Sequence, residues 1–149
     1  MKDRFISGFF AGIIAGILTN IWSFIAGAIG MTNLRTADLI GVIVYAKAPP
    51  FGFGETVFAL LGHLLLTGTI GITFAYFLPH VGSRYIFFKG WLFSMTIWAL
   101  IYGVTTFFKV PGTVPTTFNT ALTAGISSTI YGLVLSFFWL KLCKKYSIS

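Results

Sequence analysis

The sequence predicts an all-α polytopic membrane protein, a single transmembrane domain over residues 1–149. It predicts four transmembrane helices, with a short interfacial helix between the first two. Of the 149 residues, 56% are hydrophobic and only 9% are charged, and the mean hydropathy is +0.91. Because a soluble domain carries about 25% charged residues, this chain could not cover a soluble surface. Four apolar runs are each long enough for a helix to cross the bilayer, which takes roughly 20 residues.

The first predicted span covers residues 5–30 and contains no charged side chain. Gly8, Gly12 and Gly16 recur every four residues within it, and Asn20 continues the same spacing. Because four residues are close to one helical turn, these positions lie along one stripe. Glycine lets a second helix approach closely, and asparagine can form a hydrogen bond across the contact. We therefore predict a helix-packing surface here, acting either within the chain or between chains.

A mixed segment over residues 34–48 follows the first span. Thr36 is a candidate N-cap of a short helix, with Asp38 in the first turn where the helix dipole favours an acid. The apolar run after Asp38 is too short to span, and Pro49-Pro50 ends it. Two arrangements stay open, a helix lying in the membrane interface and a re-entrant segment.

The remaining spans are predicted at about 55–78, 85–108 and 120–140. Pro79 is expected to close the second span, and its short link to the third predicts two antiparallel neighbours. Residues 110–119 form a loop by composition, and the tryptophans are interpreted as interface anchors and packing residues. Residues 71–77 resemble residues 132–138. This similarity suggests two copies of a two-span hairpin, a plan that some transporters use.

The basic residues predict the orientation. Four spans put both termini on one side, which holds Lys2, Arg4, Arg84, Lys89, Lys141, Lys144 and Lys145, whereas the other side holds Arg35, Lys47 and Lys109. The positive-inside rule therefore places both termini in the cytoplasm of a multi-pass protein of the cell membrane. The basic residues sit at the ends of apolar runs, so the expected partner is the lipid bilayer and not nucleic acid.

Polar groups of all four spans are predicted to share one layer. Counted along the helices, His63 lies about 12 Å from the outer end of its span and Tyr102 about 10 Å. The predicted intramembrane polar site comprises Asn20, His63, Thr67, Tyr102, Ser127 and Ser128. In one interpretation these groups satisfy one another, with His63 bonded to a neighbour such as Asn20 or Ser127, and fix the packing. In the other they line a hydrated cavity where His63 binds a solute or passes a proton.

The sequence offers no sign of an enzyme. No hydrolase, metalloprotease or phosphate-binding motif is present, and no acidic pair lies inside a span. Cys143 is the only cysteine, which excludes an internal disulfide and a Cys-x-x-Cys metal site. We therefore predict no catalytic residue, no metal and no cofactor.

Several short motifs resemble a known group of proteins. They are Asn20-Ile21-Trp22, Phe74-Ala75-Tyr76 before Pro79, Lys89-Gly90-Trp91, Phe108-Lys109-Val110-Pro111 and Ile130-Tyr131-Gly132-Leu133-Val134. In these the chain resembles the YqhR-like proteins, small bacterial membrane proteins of four helices. The resemblance covers most of the chain and implies four membrane helices. It carries no established activity, so no functional residue is transferred from it.

Two functional classes follow from these features. The glycine stripe and the scarcity of charge inside the spans favour an accessory, assembly or structural protein that acts through helix contacts. Such a protein would form a homo-oligomer or join a larger membrane complex. The accessory, assembly or structural class is the preferred interpretation, and the polar layer around His63 and the repeated hairpin support the alternative, a small channel or transporter.

Overall fold

The structure, a computed structural model, describes residues 3–82 and 84–145, and these ranges contain five α-helices and no strand. The helices are α1 (Arg4–Ala28), α2 (Asp38–Tyr45), α3 (Phe53–Val81), α4 (Ile86–Phe107) and α5 (Phe118–Lys145). Helices α1, α3, α4 and α5 are long and apolar enough to cross a membrane. The short helix α2 lies between α1 and α3 in the sequence. The predicted fold class is therefore confirmed.

The prediction that Pro79 ends the second span is wrong, because α3 continues to Val81. Proline removes one backbone donor, but only two helical residues, His80 and Val81, follow it. The His80 Nδ1 is 2.9 Å from the carbonyl oxygen of Tyr76. The Lys89 ammonium then donates to the carbonyl oxygens of Val81 and Gly82 and satisfies the end of the helix.

The glycine stripe of α1 packs against α3 within the chain. A methyl group built on Gly8 would lie 2.8 Å from the Ala75 Cβ, and one built on Gly12 or Gly16 would overlap Thr67. The two backbones therefore touch, as small residues allow in a membrane. Asn20 is buried at the end of the stripe, but its Oδ1 has no hydrogen-bond partner among the described residues. This atom therefore makes no bond across the contact.

Helices α4 and α5 pack in a similar way. A methyl group on Gly132 would lie 2.5 Å from the Gly90 carbonyl oxygen, so these backbones also touch. Gly132 matches Gly71 in the two similar segments, and Gly71 lies at the crossing of α3 with α1. Phe74 and Leu135, also matched, are both fully buried. The similar segments thus occupy similar places in the two helix pairs, as a repeated hairpin requires.

The four long helices do not pack as a closed ring. Helix α1 packs on α3 and α5, and α4 packs on α5, but α3 and α4 are not packed along their length. They meet near their link, where the Phe93 ring lies 5.3 Å from Phe74 and 5.6 Å from Phe77, centroid to centroid. The prediction that they are neighbours is therefore correct at that end only. The glycines of α3 and α4 at the close crossings, Gly71 and Gly90, face α1 and α5, whereas phenylalanine rings meet between α3 and α4.

Helix α2 packs on α3, and the turn before it contacts α1. The prediction that Thr36 caps it is wrong: the N-cap is Ala37, and no side chain bonds the cap. The backbone N–H of Thr36 instead donates to the Ser23 Oγ of α1 at 2.8 Å. The Asp38 carboxylate accepts from the Arg35 backbone N–H and from its guanidinium, each at 2.9 Å. One hydrogen bond therefore joins this segment to α1, and the bonds between Arg35 and Asp38 stabilise the segment itself.

Candidate functional site: a cavity between α3 and α4

A cavity of about 170 Å³ lies where α3 and α4 separate. Helices α1 and α5 form its floor, and α2 covers one end. Its lining comprises Thr19 of α1; Thr36, Leu39, Ile40 and Ile43 at α2; His63, Leu66, Thr67 and Ile70 of α3; Ser94, Ile97, Trp98, Ile101 and Tyr102 of α4; and Ala124, Ser127, Ser128 and Tyr131 of α5. Every helix of the chain therefore contributes to one cavity.

The predicted polar-site residues meet at this cavity, with one exception. His63, Thr67, Tyr102, Ser127 and Ser128 belong to its lining, whereas Asn20 does not. Helix α1 presents Thr19 instead, and the hydroxyl of Thr19 donates to the Ala15 carbonyl oxygen at 2.7 Å. Consecutive helical residues point about 100° apart, so the neighbouring residue faces elsewhere.

Part of the polar lining is hydrogen-bonded between helices. The Ser94 hydroxyl bonds the carbonyl oxygen of Ser128 and lies 2.7 Å from its hydroxyl, and the Ser128 hydroxyl lies 2.8 Å from the Ser94 carbonyl oxygen. On the opposite side, the Tyr131 hydroxyl donates to the Thr67 carbonyl oxygen at 2.6 Å. These bonds join α4 to α5 and α5 to α3, so these groups hold α3 and α4 against α5.

A second group of lining side chains has polar atoms without a partner. They are the Thr36 Oγ1, the His63 Nδ1, the Trp98 Nε1 and the Ser127 Oγ, none of which is bonded to another described residue. His63 is only 7% exposed and Ser127 only 2%. Leaving a buried polar group unpaired costs about 1–3 kcal/mol. A bond between His63 and Asn20 or Ser127 was predicted, but the His63 Nδ1 makes no such bond.

Trp98 and Thr36 were not predicted as site residues. Tryptophan is common at membrane interfaces, so its presence in a span gives no sign that its indole N–H lies unpaired inside the bundle. Trp98 lies against Tyr102, with 5.5 Å between the ring centroids. Only the turn between α1 and α2 brings Thr36 to the cavity, and no sequence pattern indicates the path of that turn.

The cavity is uncharged and its rim is aliphatic. No charged residue stands among the described residues that line it, and most of the wall is carbon. At the opening, Ile43 is 62% exposed and Leu66 is 38% exposed, whereas the polar groups of His63 and Ser127 lie deeper. His63 is ten residues into α3, about 15 Å along the axis. The cavity therefore lies at membrane depth, away from the helix ends.

Within the described ranges, no three His, Cys, Asp or Glu side chains come close enough to hold a metal ion. The resemblance to the YqhR-like proteins stays a prediction. Comparison of the chain with protein-family models, with curated proteins and with solved structures gives no match.

Proposed function

We propose that this multi-pass protein binds a small molecule in the cavity around His63, within a channel- or transporter-type function. The observation that carries the proposal is the set of four unpaired polar atoms that line one cavity, one each from the turn before α2, from α3, from α4 and from α5. Unpaired buried groups are costly and need an explanation, and four of the six such atoms among the described residues line this cavity. Polar groups inside a membrane bundle commonly mark a pathway or a binding site.

The alternative, that the polar layer only fixes the packing, requires the groups to bond one another. Ser94, Ser128, Thr67 and Tyr131 do so, and their role is structural. His63 and Ser127 are as deeply buried as these residues, yet their unpaired atoms add no bond to the bundle. Binding accounts for this second group, whereas packing alone does not.

The proposal is tested by native mass spectrometry of the protein released from its own membrane. We expect a small-molecule adduct on the wild type and its loss in Ser127→Phe, because the added ring fills the cavity. The matched control is Leu122→Phe, a similar ring on the same helix at an exposed position outside the lining. An adduct that survives in Ser127→Phe, or a wild type without an adduct, would contradict binding at this cavity.

A second candidate is the accessory or assembly role, and α4 favours it. This helix is the least buried of the four long helices, and it packs along its length on α5 and meets α3 only near their link. Phe88, Leu100 and Phe107 are all exposed on it. Because the glycine stripe is already packed within the chain, a partner chain would contact α4. Loss of a copurifying partner in Leu100→Trp, with the adduct retained, would support this second role.

A further inference from the structure

We infer that the ligand of this cavity is a neutral, lipid-soluble molecule with a ring-sized apolar body and one hydroxyl or carbonyl group. We also infer that it enters from the bilayer between α3 and α4. This inference rests on the proposed function and names the ligand class for the same site. It follows from the charge, hydrogen-bonding capacity, size and opening of the cavity.

The absence of charge around the cavity excludes an ionic ligand. Moving a charge into an apolar site is favourable only where an opposite charge or several hydrogen bonds compensate it. No such charge lies in the described lining. The charged residues nearby already form ion pairs with one another, Arg35 with Asp38 at 2.9 Å and Lys47 with Glu55 at 2.6 Å. A neutral molecule meets no such cost.

The unpaired atoms define the polar group of the ligand. The Trp98 indole N–H can only donate, so the ligand must offer an acceptor oxygen. The Ser127 and Thr36 hydroxyls can donate or accept, and a neutral imidazole has one donor and one acceptor nitrogen. A hydroxyl satisfies both kinds of partner, and a carbonyl satisfies the donors. A pure hydrocarbon leaves all four atoms unpaired.

The volume limits the apolar part of the ligand. A protein cavity of roughly 150 Å³ lined by apolar side chains admits benzene, so about 170 Å³ admits one ring or a short chain of that size. A phospholipid headgroup with its chains is far too large to be enclosed. The mostly carbon wall then contacts the apolar body, and the polar group lies against the deeper side chains.

The opening indicates entry from lipid. The exposed rim residues Ile43 and Leu66 are aliphatic, and α3 and α4 are unpacked at this level. Towards the α3–α4 link, the buried cluster that includes Phe74 and Tyr131 closes the bundle. A lipid-soluble molecule can therefore pass between the two helices without crossing a charged surface.

The test uses the indole N–H signals of the ¹⁵N-labelled protein in lipid nanodiscs, with phenol, toluene and benzoate as probes. The Trp98 signal is assigned with Trp98→Phe. Two other indoles are internal controls, because Trp22 already donates to the Thr123 carbonyl oxygen and Trp91 to the Thr129 hydroxyl. We expect phenol to shift the Trp98 signal saturably while the Trp22 and Trp91 signals stay in place.

Toluene has the ring without the hydroxyl, and benzoate adds a charge, so both should bind at least about tenfold more weakly than phenol. His63→Phe should weaken phenol binding, and Leu122→Phe should not, with the Trp22 and Trp91 signals reporting an intact fold.

Equal binding of toluene and phenol, tighter binding of benzoate, or a uniform shift of all indoles would each overturn the inference. If no probe binds while the native adduct persists, the ligand class is wrong and the proposed function stands. If the adduct is also missing, the proposed function is wrong.

Discussion

At the scale of single residues, two buried serines on α5 have opposite effects on the stability of the bundle. The Ser136 hydroxyl is fully buried and lies within bonding distance of the carbonyl oxygens of Ile86 and Gly132, at 3.2 and 2.8 Å. The Ser127 hydroxyl is also buried but has no partner within the described part of the chain. The first hydroxyl stabilises the bundle and the second lowers its stability.

This difference predicts opposite effects of the same substitution. Ser127→Ala should raise the free energy of unfolding by about 1 kcal/mol, the lower end of the cost of an unpaired buried hydroxyl. Ser136→Ala should lower it by a similar amount, since bonds of this kind in membrane bundles are worth roughly 0.6 kcal/mol. Reversible unfolding in mixed micelles measures both values. A destabilised Ser127→Ala would mean that its hydroxyl has a structural partner.

At the scale of helices, contact between backbones depends on a few glycines. Gly12 faces α3, where the Thr67 carbonyl oxygen leaves no room for a methyl group. A methyl group built on Gly125 of α5 would instead meet open space, with no atom within 4 Å. A glycine count in a span does not distinguish these two situations, but the environment of each Cβ position does.

Gly12→Ala should therefore destabilise the monomer by about 1–3 kcal/mol, the usual cost of overpacking. Gly125→Ala should be neutral or stabilise it by up to about 1 kcal/mol, because alanine favours the helix over glycine. Thermal unfolding of the two variants in the same detergent makes the comparison. A Gly12→Ala monomer with an unchanged transition would place the stripe against lipid or another chain.

At the scale of the whole molecule, the helix contacts bring the start of α1, the α3–α4 link and the end of α5 to one end. Gly8 lies against Gly71 and Ala75 there, and Gly90 lies against Gly132. This is the end that holds most of the basic residues, which supports the proposal that both termini are cytoplasmic.

Impermeant thiol labelling of intact cells tests this orientation in a Cys143→Ser background. Asn119→Cys, at the start of α5, should react from outside, whereas Val81→Cys, at the end of α3, should react only after lysis. Both positions are exposed. The reverse pattern of labelling would invert the orientation in the membrane.

Proton flux distinguishes an uncharged binding cavity from a water-filled channel. Proteoliposomes holding the wild type should show no flux above empty liposomes at several pH values, because the cavity wall is mostly carbon and one end is closed. His63→Gln should fold as well as the wild type, within about 1 kcal/mol. A wild-type flux that disappears in His63→Gln would instead place His63 on a proton path.

The sequence by itself determined the helices and their approximate depth. A bilayer core admits only segments whose backbone is internally bonded, so apolar length predicts the spans. A constant rise of 1.5 Å per residue predicts which residues lie at the same depth in the bundle. His63, Tyr102 and Ser127, predicted at similar depths, line the same cavity. Only the tertiary structure decided which way each residue faces. Thr19 replaces Asn20, Trp98 and Thr36 join the lining, and α3 separates from α4. These outcomes depend on which helices contact at glycines, a property of pairs of helices that no single apolar run contains.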